Sequence, residues 1–142
     1  MNLLLGLATM VACLALQSLL VVIALRYYSR SESLVSSPSM TTSLLVISGV
    51  MMFLLVANIL QVGIWALLFL GLGEFSHFDE ALYHSAVNFA TLGYGDIVMS
   101  AKHRMLGPLE AINGVIMIGV STAVLMTAFK DAIDKTANAR RS

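Results

Sequence analysis

The sequence has few charged residues and a single cysteine, and each of these features excludes some classes of protein. Charged residues make up 11% of its 142 residues and the net charge is zero, whereas a typical soluble domain carries about 25% charged residues. A neutral chain with so few basic residues gives no electrostatic basis for binding nucleic acid. Cys13 is the one cysteine, which excludes an intrachain disulfide framework and a cysteine-based zinc site.

What the sequence has in excess is apolar residues, at 58%, and they come in blocks. Residues 1–25, 33–73 and 111–129 contain no charged side chain, and the apolar part of the second block begins near Leu44. About 20 apolar residues cross the hydrocarbon core of a bilayer. The sequence therefore predicts an all-α integral membrane protein with three transmembrane helices.

The first block is predicted to be a retained transmembrane helix. A signal peptide needs a basic stretch before its apolar core, and "MNLLLGLATM" has no Lys or Arg. In chain order, the predicted segments are a helix over 1–25, a linker over 26–43, an outer helix over 44–72, a short helix over 77–90, a polar segment over 91–96, an inner helix over 107–129 and a tail over 130–142.

The basic residues predict an orientation in the membrane. Two of them lie in the 26–43 linker and four in the 130–142 tail: Arg26, Arg30, Lys130, Lys135, Arg140 and Arg141. Placing both segments in the cytoplasm puts six of the eight basic residues inside, as the positive-inside rule favours. We expect the N-terminus outside, the C-terminus in the cytoplasm, and residues 74–106 to begin and end outside.

Two helix starts flank the polar segment "TLGYGD". Ser76 followed by Asp79 fits a capping box, and a helix of about 12 residues from there is too short to span the bilayer. Non-helical backbone at membrane depth is tolerated only within protein or beside a water-filled cavity, which predicts a re-entrant segment. Pro108 suits the first position of the last helix, and Glu110 then falls in its first turn.

A short helix, "TLGYGD" and a spanning helix together resemble the pore module of potassium channels. That family has a T-V-G-Y-G filter, usually followed by Asp, and this chain has Thr91-Leu92-Gly93-Tyr94-Gly95-Asp96. The resemblance covers 44–129 and makes this segment a pore domain. It implies that K⁺ binds the backbone carbonyls of Thr91, Leu92, Gly93 and Tyr94 and the hydroxyl of Thr91.

The same resemblance implies a fourfold symmetric homotetramer in a lipid bilayer, because one chain carries one filter strand and cannot close a ring. Carbonyls aimed at one axis need alternating ordinary and left-handed backbone, and glycine adopts the left-handed conformation at little steric cost. This explains Gly93 and Gly95. No cofactor is implied beyond the K⁺ ions in the filter.

The residues expected to support the filter depart from the family pattern. By resemblance, Asp96 caps the outer end of the filter and Tyr94 braces it from behind. Val87 stands where some members carry a glutamate that bonds this aspartate, and Tyr83 and His84 occupy the positions of a tryptophan pair. We expect Asp96 to bond to Tyr83 or His84 instead.

Two interpretations stay open for several residues of the inner helix and the outer loops. Gly119 is either a hinge or a close-packing position, and Ser121 and Thr122 either line a cavity or pack. Glu110 is either a functional membrane carboxylate or a first-turn charge that pairs with Arg104 or bonds the short helix. Three histidines either confer external pH sensitivity or are ordinary polar groups: His77, His84 and His103.

The sequence thus predicts a subunit of a K⁺-selective channel that conducts passively. The alternatives are a non-selective cation channel and a non-conducting regulatory membrane subunit. A coupled transporter is disfavoured because such sites usually arise from internal repeats, and none is visible. No nucleophile–base or metal-binding constellation indicates an enzyme.

Overall fold

The computed structural model describes residues 2–35 and 39–139, whose regular structure is helical. The helices are α1 (Asn2–Arg30), α2 (Glu32–Val35), α3 (Met40–Gly71), α4 (Phe78–Phe89) and α5 (Leu106–Ala139). Three of them, α1, α3 and α5, are long and apolar enough to cross a membrane. The predicted all-α class and the three long apolar helices are confirmed.

The long helices extend beyond the apolar blocks from which they were predicted. Helix α1 continues to Arg30 and α3 already begins at Met40, so the predicted 26–43 linker is too long and also contains α2. Helix α5 runs to Ala139 and takes up the described part of the predicted 130–142 tail. Hydropathy marks only the apolar part of a helix, and Arg, Lys and Ala continue it readily. Residues 36–38 and 140–142 lie outside the described part of the chain.

The starts of α4 and α5 differ from the sequence-based prediction by one or two residues. The N-cap of α4 is His77 and no side chain caps it, so the capping box at Ser76 is wrong. Asp79 and Glu80 instead lie in the first turn, where carboxylates favour the positive end of the helix dipole. Because α5 begins at Leu106, Pro108 is its third residue and the prediction of Glu110 in the first turn is wrong.

One compact unit comprises residues 2–17 and 58–118, and we call it the loop-bearing unit because it contains residues 90–105 between α4 and α5, hereafter the loop. Its core is an aromatic cluster in which the ring of Phe69 lies 5.9 Å from Trp65, 6.5 Å from Phe75 and 5.6 Å from His84. Earlier in α3, Gln61 Nε2 donates a 2.7 Å hydrogen bond to Gln17 Oε1 of α1. These contacts fix α4 and α1 against the second half of α3.

The other compact unit comprises residues 18–35, 39–57 and 119–139, and we call it the three-helix unit. Its buried cluster is apolar and contains small side chains: Ala24, Tyr28, Val46, Ile47, Val50, Leu54, Ala128 and Ala132. Polar contacts occur towards the helix ends, where Tyr28 donates a 2.8 Å hydrogen bond to Asp131. Helices packed in this way have satisfied backbone groups, so apolar packing suffices to hold them.

Candidate functional site

The backbone of residues 91–95 alternates between two conformations. Thr91, Gly93 and Gly95 have φ angles of 59°, 59° and 74°, and Leu92 and Tyr94 between them are not left-handed. In a regular strand successive residues face opposite sides, and a left-handed residue at every second position turns alternate peptide planes over. The left-handed glycines expected at positions 93 and 95 are confirmed, and they permit successive carbonyl oxygens to face one side.

Thr91 is left-handed because of how α4 ends. Ala90 is the C-cap, the amide of Thr91 donates to the carbonyl of Asn88 at 2.8 Å, and the amide of Leu92 donates to that of Val87 at 2.9 Å. These two bonds define a Schellman motif, in which the residue after the cap is left-handed and usually glycine. The sequence did not reveal this, since a threonine is uncommon there.

The carbonyl groups that follow the helix are left available as ligands. Within the described part of the chain, no backbone amide donates to the carbonyl of any residue from 91 to 95. These residues are exposed, and α4 ends beside them with the negative end of its dipole. Oxygen atoms without formal charge, together with the Thr91 hydroxyl, are suitable ligands for a hard cation.

A set of side-chain hydrogen bonds ties the C-terminal end of this segment to α4. Tyr83 Oη donates to Asp96 Oδ2 at 2.7 Å, and this bond lowers the pKa of Asp96 below its ordinary value. His84 Nδ1 lies 2.9 Å from the carbonyl of Ile97, and Asn88 Nδ2 lies 2.9 Å from His84 Nε2. Because a carbonyl only accepts, Nδ1 carries the proton and Nε2 accepts from Asn88.

Of the two partners expected for Asp96, Tyr83 is therefore the one in contact, and His84 bonds the next residue instead. Val87 is buried, and its carbonyl accepts a hydrogen bond from the amide of Leu92. The short helix thus contacts the segment 91–97 at both ends, through backbone at Leu92 and through side chains at Asp96 and Ile97.

Comparison with known families identifies the class of protein. Residues 40–131 match the family model of ion channels, which covers more than half of the chain. The chain belongs to this ion channel family. No curated protein and no solved structure matches it. With its three long apolar helices, it is a multi-pass membrane channel protein, and the match includes α3, α4, the loop and most of α5.

A second polar cluster of the channel joins the two loops on either side of α4, and sequence reasoning missed it. Glu74 accepts hydrogen bonds from the Ser100 amide and hydroxyl, each at 2.6 Å, and from His103 Nδ1. Burial acts to raise the pKa of Glu74, but the bonds from Ser100 and His103 outweigh it and lower the pKa to about 2. His103 is 4% exposed, so it is a buried hydrogen-bonding group and not polar surface.

Helix α5 of the channel lies close against the end of α4 at a glycine that sequence reasoning also missed. A Cβ atom at Gly114 would lie 2.0 Å from the carbonyl oxygen of Phe89. At Gly119, the candidate hinge, nothing lies within 4 Å of the corresponding position, so close packing within this chain does not explain it. Ser121 is buried and Thr122 exposed.

Glu110 of the channel is fully buried and is hydrogen-bonded to Ser85 of α4. Of the two partners expected for a first-turn Glu110, the short helix is therefore the one in contact. In the described part of the chain, no ion pair joins it to Arg104.

Proposed function

We propose that this channel conducts K⁺ passively and selects it over Na⁺ by means of its backbone carbonyls. The ions would be coordinated by the carbonyls of Thr91, Leu92, Gly93 and Tyr94 and by the Thr91 hydroxyl, with Gly95 completing the alternation. The observation that carries this proposal is the left-handed backbone at every second residue, 91, 93 and 95. Carbonyl oxygens replace the hydration shell of K⁺ in filters of this kind, and repulsion between ions at neighbouring sites would drive conduction.

The proposal requires several chains, because one chain supplies one row of oxygens and cannot surround an ion. Two side chains of the loop are exposed, Leu92 by 54% and Tyr94 by 65%. The loop-bearing unit also has an open cleft of about 370 Å³ beside the loop, with His84, Met99 and Pro108 in its wall. The exposed side chains of Leu92 and Tyr94 and the cleft are different surfaces of one chain. Contact between the side chains of one copy and the cleft of the next would be a head-to-tail interface, which can close into a ring.

We propose that the ring is a fourfold symmetric homotetramer in a lipid bilayer, with the N-terminus outside and the C-terminus in the cytoplasm. The excess of basic residues in the first linker and the tail supports this orientation. It makes α4 a re-entrant pore helix and places the loop near the outer surface. The C-terminal end of α4 would then direct negative potential at ions below the filter.

The test is the reversal potential of the purified full-length protein in liposomes with K⁺ on one side and Na⁺ on the other. We expect the potential to follow the K⁺ gradient. A value near zero would favour the non-selective cation channel instead. Absence of current from a monodisperse preparation would favour the non-conducting regulatory subunit.

A pair of glycine variants separates a role of the loop from a general effect on the protein. Gly93→Ala places a methyl group where φ is +59° and should abolish selectivity. Gly63→Ala lies in α3, where nothing lies within 4 Å of the added carbon, and should leave the reversal potential unchanged. Equal behaviour of the two variants would count against a filter at residues 91–95.

A further inference from the structure

The Ser85 hydroxyl lies between two oxygen atoms, and this position determines where its proton goes. Its Oγ is 2.8 Å from the carbonyl oxygen of Val62 in α3 and is in hydrogen-bond contact with Glu110 Oε1 in α5. A hydroxyl has one hydrogen to donate, and a backbone carbonyl can only accept. Ser85 therefore donates its hydrogen to the Val62 carbonyl, and towards Glu110 the Ser85 oxygen can only accept a hydrogen bond.

The opposite arrangement leaves one of these contacts without a hydrogen. If Ser85 donated to an ionised Glu110, the Ser85 and Val62 oxygens would face each other at 2.8 Å with no hydrogen between them. A carboxyl group that carries a proton supplies the missing donor. The three oxygens then form an ordered chain in which Glu110 donates to Ser85 and Ser85 donates to Val62.

The surroundings of Glu110 favour the same protonation state. The residue is 0% exposed, and in the described chain its Oε2 atom has no hydrogen-bond partner. Among the side chains close to it are the Asn88 amide of α4 and the Cys13 thiol of α1, and neither is a cation. The titratable neighbour of Ser85 on α4, His84, is neutral by its own hydrogen bonds. A buried carboxylate without a cation is strongly disfavoured.

We propose that Glu110 is a neutral carboxylic acid whose proton links the inner helix α5 to the pore helix α4 and, through Ser85, to the outer helix α3. Glu110 is a positioning residue, since its hydrogen bond in the described chain goes to Ser85 of α4 and it acts by fixing α4. The protonation state stands independently of ion selectivity. Its consequence for the current rests on the proposed function, because Thr91 directly follows the C-cap of α4.

Infrared spectroscopy of the full-length protein in liposomes tests the protonation state directly. We expect a carbonyl band of a protonated carboxylic acid at neutral pH that is absent from the Glu110→Gln variant and shifts in D₂O. In Ser85→Ala the band should persist and move to higher frequency, because the acid loses its acceptor. A spectrum of wild type without such a band, measured against Glu110→Gln, would overturn the proposal.

Paired variants test the role of the proton. Gln at position 110 keeps a hydrogen donor beside Ser85, so Glu110→Gln should retain the current and the thermal stability of wild type. Glu110→Leu has similar bulk and no donor, and it should lose current and unfold at lower temperature. If both variants fail equally, the negative charge matters and the proposal is wrong. If the infrared band is present but the reversal potential is near zero, Glu110 is protonated as proposed and only the proposed K⁺ selectivity is contradicted.

Discussion

The two compact units bury very different kinds of residue. In the described chain, the loop-bearing unit buries seven polar side chains: Gln17, Gln61, His84, Ser85, His103, Glu110 and Asn113. The three-helix unit buries three small ones: Ser43, Ser121 and Thr136. Helical backbone satisfies its own hydrogen bonds, whereas a loop between helices depends on side chains for position. Buried polarity in this channel therefore marks the part that holds a defined non-helical conformation.

The largest difference in stability expected from this contrast is between alanine substitutions at two glycines of α5, one in each unit. Gly114→Ala should destabilise the protein by about 3 kcal/mol, because the added carbon would meet the Phe89 carbonyl at 2.0 Å. Gly119→Ala has open space and should stabilise its helix by up to about 1 kcal/mol. Thermal unfolding in detergent measures both. Similar losses in the two variants would remove the distinction between the units.

The next largest effect is the pH dependence of the unfolding temperature, through Glu74 of the loop-bearing unit. The pKa of Glu74 is lowered from 4.5 to about 2, so its contribution is complete above pH 4.5 and is lost as the pH falls through about 2. Charge-assisted bonds of this kind contribute about 2 kcal/mol. We expect Glu74→Gln to lower the unfolding temperature at neutral pH and to flatten its decline between these pH values. The same decline in Glu74→Gln and wild type would contradict this.

A matched pair of tyrosines gives the third test, beginning with the three-helix unit. Tyr28 is mostly buried and donates to Asp131 at 2.8 Å. Tyr28→Phe removes one hydrogen bond and should cost about 1 kcal/mol of stability, measured by thermal unfolding. The reversal potential should not change, since no residue of the loop-bearing unit is altered.

Tyr83 is the counterpart in the loop-bearing unit and should behave in the opposite way. It is exposed and donates to Asp96 at 2.7 Å, so Tyr83→Phe should have the smallest effect on unfolding. The C-terminal end of segment 91–96 loses its side-chain bond to α4, and on the proposed function we expect the reversal potential to move towards that of a less selective channel. A stability loss without any change of reversal potential would show that this bond serves the fold alone.

Features with a local cause could be predicted from the sequence. Apolar blocks identified the three long helices because the hydrocarbon core sets their length. The left-handed backbone at Gly93 and Gly95 followed from the freedom of glycine. Helix ends were less accurate, since Arg30 and Lys130 are charged but favour helix, and the capping box predicted at Ser76 is absent because α4 begins one residue later with no side-chain cap.

Features that depend on contacts distant in the chain could not be predicted. The hydrogen-bond partners of Glu74, Ser100 and His103, lie more than 20 residues later in the chain. No sequence pattern around Glu74 predicts them. The role of Gly114 becomes apparent only once the end of α4 is known to lie against α5. Ser85 and Glu110 each look ordinary alone, and their hydrogen bond depends on the carbonyl of Val62 in a third helix.

Thr91 has a consequence for engineering the protein. A β-branched residue at φ 59° is strained by on the order of 1–3 kcal/mol, and Thr91→Gly would relieve that strain at a position where glycine is the usual residue. A search for thermostable variants guided by backbone geometry would choose this substitution early. It would also remove a hydroxyl oxygen from the start of the loop, so the variant should be harder to unfold and, if the proposed function is right, poorer at binding ions.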